Sequence, residues 1–117
     1  MAKKILIVDD NLTLCKNLSK LLVDKGYEVE STGRSEDIWD ILKTASFDLM
    51  VLDLIFPEKN ITAVLGGIKS ASPQMRIVIY TGYEEYENSP YIRLADAFLV
   101  KSKGPEPLLS IIEKLIG

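Results

Sequence analysis

Ile5-Leu6-Ile7-Val8-Asp9-Asp10-Asn11 decides the fold: it is an apolar run of strand length that stops on two carboxylates and a residue suited to cap a helix. Four to eight apolar residues bounded by turn formers read as a buried strand. Three later runs repeat its form. Leu49-Met50-Val51-Leu52 ends on Asp53, Ile77-Val78-Ile79-Tyr80 on Thr81, and Phe98-Leu99-Val100 on Lys101. Between the runs, apolar residues recur at helical spacing, and this alternation marks βαβ units with a parallel sheet. Parallel strands share one carboxyl edge, so three carboxylates, a hydroxyl and an ammonium are expected to converge there. In open α/β sheets the crevice outside that edge is where ligands bind.

Working outward from the strands, Leu14, Leu18, Leu21 and Leu22 predict a helix at about 11–25, with Asn11 as N-cap and Gly26 as its stop. Tyr27 to Ser31 alternates apolar and acidic residues, which suits a strand near the sheet edge. Ser35 is placed to cap a second helix whose Ile38, Trp39, Ile41 and Leu42 form the buried stripe. Residues 61–71 predict a third helix, short or frayed because Gly66 and Gly67 each cost about 1 kcal/mol against alanine. The polar, acidic and aromatic stretch 82–90 ends on Pro90, so a loop and then a short helix at about 90–95 are expected, leaving the fourth helix short or disordered. The last helix starts near Pro105 and carries Leu108, Leu109, Ile111, Ile112, Leu115 and Ile116. Five such units, connected right-handedly, favour a doubly wound three-layer α/β sandwich with strand order 2-1-3-4-5. The first and third strands are then neighbours, and Asp9, Asp10 and Asp53 stand side by side.

Composition bounds the rest. A chain of 117 residues with 47% hydrophobic content fits one domain, 1–117, that buries roughly 65% of its unfolded surface. Its net charge of −3 comes from 14 basic and 17 acidic residues without blocks, which argues against nucleic-acid binding. Cys15 is the only cysteine and there is no histidine, so neither an internal disulfide nor a zinc ligand set is expected. Apolar runs this short do not span a membrane, and the expected location is cytoplasmic.

Clustered aspartates repel one another, and a divalent cation relieves that repulsion. Magnesium needs only one or two carboxylates plus phosphate oxygens and water; manganese has similar tastes. Lys101 offers a compact charge and Thr81 a hydroxyl donor for phosphate oxygens, so Asp53 is placed to act as a carboxylate nucleophile and become an aspartyl phosphate.

The segments Ile5–Asn11, Asp53-Leu54-Ile55-Phe56-Pro57, Tyr80-Thr81-Gly82 and Asp96–Lys101 together resemble the receiver domain of two-component response regulators, a flavodoxin-like fold, and the resemblance covers essentially the whole chain. It implies Asp53 as phosphoacceptor, Asp9 and Asp10 as magnesium-binding acids, and Ile55 as donor of a backbone carbonyl to the metal. It implies Thr81 as the switch hydroxyl, Lys101 as the charge that reads the phosphate, and Phe98 as the switch aromatic, although core packing is an equal account of Phe98. The phosphoryl donor it implies is a histidine kinase or a phosphotransfer protein, and the output is binding to a partner, not turnover of a substrate.

The chain departs from that pattern at Ser102, where the family commonly has a proline, in the loop after Asp53, and between Thr81 and Lys101. There Tyr83, Tyr86 and Tyr91 cluster, either covering the sheet or forming a partner surface. Two other functions use the same acids. A pseudo-receiver would bind its partner without phosphorylation. A magnesium-dependent phosphohydrolase would need a general acid two residues beyond Asp53, where Ile55 stands. Trp39 and Cys15 read as core.

Overall fold

The computed structural model describes residues 2–54, 61–82 and 90–117. Five parallel strands form one sheet: β1 (Lys4–Val8), β2 (Glu28–Thr32), β3 (Leu49–Leu52), β4 (Arg76–Thr81) and β5 (Ala97–Val100), in the order β2-β1-β3-β4-β5. Four α-helices lie among the described residues: α1 (Leu12–Asp24), α2 (Ile38–Thr44), α3 (Ile61–Ala71) and α4 (Glu106–Ile116). Strand alternation splits the core in two. Leu6, Val8, Met50, Leu52, Ile77 and Ile79 face Ile38, Leu65 and Ile68, on the side of α2 and α3. Ile5, Ile7, Leu49, Val51 and Val78 face Cys15, Leu18, Leu22, Leu108 and Ile112, on the side of α1 and α4. Because Ile5–Val8 of β1 and Leu49–Leu52 of β3 are buried on both faces, these stretches are unbroken apolar runs. Each fully buried aliphatic side chain contributes about 1.5–3 kcal/mol.

Register then sets the site. Val8 pairs with Leu52, and the Asp53 N–H donates to the Val8 carbonyl at 2.9 Å, so Asp9 and Asp53 leave adjacent strands abreast. Thr81 pairs with Val100, which puts Lys101 one residue past it on the neighbouring strand. At the base of β5, Asp96 accepts from the Ile77 N–H at 2.8 Å and from Arg76 Nη1 at 3.2 Å.

Helix starts and stops follow local chemistry with one exception. Asn11 caps α1, its Oδ1 accepting from the Leu14 N–H at 3.0 Å, and the chain turns out at Gly26. Ser35 is not a cap. A 3-10 turn over Ser35–Asp37 precedes α2, and Thr32 organises it by accepting the Arg34 N–H at 3.2 Å and donating to Asp37 Oδ2 at 3.1 Å. The third helix, α3, runs the eleven residues expected of it, 61–71, and is not shortened by its paired glycines. Leu65 and Ile68 are completely buried, and this packing outweighs the low propensity of the paired glycines.

Gly67 has a packing reason as well. A Cβ there would stand 3.0 Å from Cη2 of Trp39, so the bare backbone lets the indole lie against α3. Trp39 itself is not core. It is 37% exposed, because the stripe of α2 that reaches the sheet centres on Ile38 and leaves the indole at the rim. Where a fourth helix was expected, a 3-10 turn occupies Pro90–Leu94, matching the short element at about 90–95. A further 3-10 turn, Lys101–Lys103, follows β5, and no described peptide bond is cis.

Candidate functional site

The carboxyl edge brings Asp9, Asp10 and Asp53 together, with carboxylate oxygens from all three within 4.8 Å of one another. Asp9 and Asp53 are buried and Asp10 is exposed, so the cluster has a floor of two acids and a rim of one. Lys101 reaches in from the end of β5. Its Nζ is 2.7 Å from Asp9 Oδ2 and 3.1 Å from Asp53 Oδ2. Burial works against the charge of this lysine, yet the hydrogen bonds to Asp9 and Asp53 more than offset it, and its pKa lies above the ordinary lysine value.

Asp9 is fixed on every side. Its N–H donates to the Thr32 carbonyl at 3.0 Å, its Oδ1 accepts from the Asn11 N–H at 2.9 Å, and its carbonyl accepts from Cys15 Sγ at 3.3 Å. Burial, and then the nearby Asp9 charge, push the Cys15 thiol up, which keeps it a protonated donor. Asp53 is less satisfied: among the described residues its buried Oδ1 has no hydrogen-bond partner. An orphaned buried acceptor is costly, and such an oxygen beside two further carboxylates suits a hard divalent cation or an incoming phosphoryl group. Thr81 is fully buried at the end of β4 and shares its side of the strand with Ile77 and Ile79.

Asp9, Asp10, Asp53 and Lys101 are thus brought into one cluster, with Thr81 at the same edge. Phe98 lies partly buried against the core on the α2 and α3 side. Ile55, Tyr83 and Tyr86 lie outside the described residues, and of Tyr91 only the backbone, in the Pro90–Leu94 turn, is described. Reasoning from sequence missed the support of Asp9. The Asn11 contact was legible, since an aspartate commonly accepts from the backbone two residues on. The Cys15 contact was not, because it runs to a backbone carbonyl and leaves no side-chain pattern.

Comparison with known proteins agrees with this geometry. The TrrA response regulator of Thermotoga maritima, solved in complex with Mg2+-BeF, is 28% identical with a TM-score of 0.87, the match covering 97% of this chain and 99% of that one. A CheY-like receiver domain protein from Methanospirillum hungatei is 30% identical with a TM-score of 0.87, over 97% and 93% of the two chains. TrrA is also known in complex with the histidine kinase ThkA, and that structure matches at 28% identity and a TM-score of 0.85, over 98% and 99%. Among curated proteins, the transcriptional regulator NtrC of Bradyrhizobium is 26% identical over 99% of this chain and 25% of its own length. AlgB of Pseudomonas aeruginosa is 32% identical over 90% and 24%. The chain therefore spans about a quarter of the length of these regulators. The family model of the response regulator receiver domain matches residues 5–113, and the chain belongs to that family.

Proposed function

We propose that this domain, over residues 1–117, is a phosphorylation-dependent signalling switch in which Asp53 accepts a phosphoryl group from a phosphohistidine on a histidine kinase or phosphotransfer protein. The observation that carries this reading is the buried Asp53 carboxylate, with one oxygen paired to Lys101 and the other without a partner among the described residues, beside two more acids. In the transfer, an Asp53 oxygen bonds to phosphorus as the phosphorus–nitrogen bond breaks, and the leaving imidazole takes up a proton. Asp9, Asp10 and Asp53 would hold magnesium, with the Ile55 carbonyl, and manganese would also suit these oxygen donors. Bound there, the metal neutralises charge on the transferring group.

Lys101 lies within reach of Asp53 and pairs with a phosphate oxygen once one is attached. Thr81 supplies a hydroxyl donor. The added charge draws both inward, and Phe98 and the surface around Tyr83, Tyr86 and Tyr91 carry the change to a protein partner. Supporting this reading, structural neighbours include a complex with Mg2+-BeF and one with a histidine kinase. No described helix is long and apolar enough to cross a membrane.

The test is intact-mass measurement of the protein with acetyl phosphate and magnesium. The wild type should gain the mass of one phosphoryl group, and the gain should vanish in Asp53→Ala and with a chelator. An unmodified wild type, tested also with a panel of phosphorylated kinases, sinks the proposal.

A further inference from the structure

We infer that Gly104 is a positioning residue that holds Lys101 in the site, an inference that takes Lys101 in the role proposed above. Lys101 opens a 3-10 turn, Lys101–Lys103, and the turn is closed by the Gly104 N–H donating to the Lys101 carbonyl at 3.0 Å. Gly104 sits at φ 80°, ψ 178°, a region of backbone space open essentially only to glycine. Pro105 comes next and leads into α4, whose Leu108 and Ile112 are completely buried and fix where the chain must go. The turn is thus held between a strand and an anchored helix, and glycine at 104 is what lets it close in three residues.

The consequence falls on the ammonium. Lys101 meets two carboxylates at 2.7 and 3.1 Å with one ammonium, so the backbone path at 101 sets whether its stem reaches both at once. An L-residue at 104 must leave its φ and ψ, and the Lys101 carbonyl, bonded to the 104 N–H, moves with it. Glu106 adds little, since its carboxylate, 3.0 Å from where a Cβ would stand, is the mobile end of a side chain and can swing away.

The experiment compares Gly104→Ala with a semisynthetic protein carrying D-alanine at 104, which favours positive φ. Two readouts are taken: acetylation of Lys101 by an amine reagent, followed by mass spectrometry, and phosphorylation of Asp53 by acetyl phosphate. Gly104→Ala should raise Lys101 labelling and lower the phosphorylation rate, each about tenfold, and D-alanine should restore both. In a Lys101→Met background, Gly104→Ala should have no further effect on phosphorylation, as expected of a residue acting through Lys101.

Wild-type labelling and phosphorylation in a folded Gly104→Ala protein would overturn the inference, and so would an equal loss of phosphorylation in the Lys101→Met background. If Gly104→Ala does not fold, Gly104→Asn takes its place: asparagine tolerates positive φ in the left-handed helical region but not at ψ 178°, so it is a milder change that should still raise Lys101 labelling. Should no donor phosphorylate even the wild type, the proposed function fails, while labelling of Lys101 still decides the role of Gly104.

Discussion

The Lys101 ammonium lies nearer to Asp9, at 2.7 Å, than to Asp53, at 3.1 Å. One cation is shared between an acid that would hold metal and the acid that would be phosphorylated, with Asp10 left at the rim. A metal held as proposed would therefore share that pair of carboxylates with the lysine.

Removing the lysine should expose that competition. In Lys101→Met, two buried carboxylates lose their counter-ion, and metal-free stability should fall by about 2 kcal/mol. Magnesium should then stabilise the variant more than it does the wild type, because it supplies the missing charge. Urea unfolding with and without magnesium checks this. An equal magnesium increment in both proteins would show that the lysine and the metal do not compete.

The same pair sets a pH dependence. The pKa of Lys101 is raised above the usual 10.5 in the folded state, so its contribution is fully present below the unfolded value. It is lost as pH rises through the higher folded value. The stability difference between wild type and Lys101→Met should be constant around neutrality and shrink only in the alkaline range above about 10.5, in chemical unfolding without metal. A difference that closes near neutral pH would contradict the paired geometry.

Gly67→Ala weighs helix propensity against packing. Alanine gains about 1 kcal/mol in a helix interior. Its methyl, however, would stand 3.0 Å from the Trp39 indole, which must move outward. The expected result is a net stability change under about 1 kcal/mol with red-shifted emission from Trp39, the only tryptophan. The full alanine gain with unaltered emission would mean that the indole does not rest on α3.

Asp96→Ala should cost about 2 kcal/mol, because the Ile77 N–H at the start of the β4–β5 pairing loses its acceptor. Arg76→Ala removes only the exposed ion pair to the same carboxylate and should cost less than about 1 kcal/mol. Thermal unfolding of both variants separates the two contributions. Equal losses would assign the stabilisation to the ion pair instead.

How much of this was legible in the sequence depended on range. β1 and β3 could be read directly, since burial on both faces forces unbroken apolar runs, and the strand-end acids follow at once from Val8 and Leu52. Asn11 as a cap and Pro105 at the head of the last helix are local choices, and they hold. Ser35 and Trp39 were misread because their roles depend on neighbours distant in sequence or on competing local bonds. Thr32 takes over the turn before α2, and α3 decides where the indole rests.

By itself, the sequence determined the class of fold, the strand order and the identity of the acids, because periodicity and strand-end chemistry are properties of contiguous residues. Tertiary structure alone decided that Lys101 lies nearer to Asp9 than to Asp53 and that, among the described residues, one Asp53 oxygen is left without a partner. Those are matters of ångströms between segments far apart in the chain, set by sheet register and by the path of the turn from β5 through Gly104, and no local pattern encodes them.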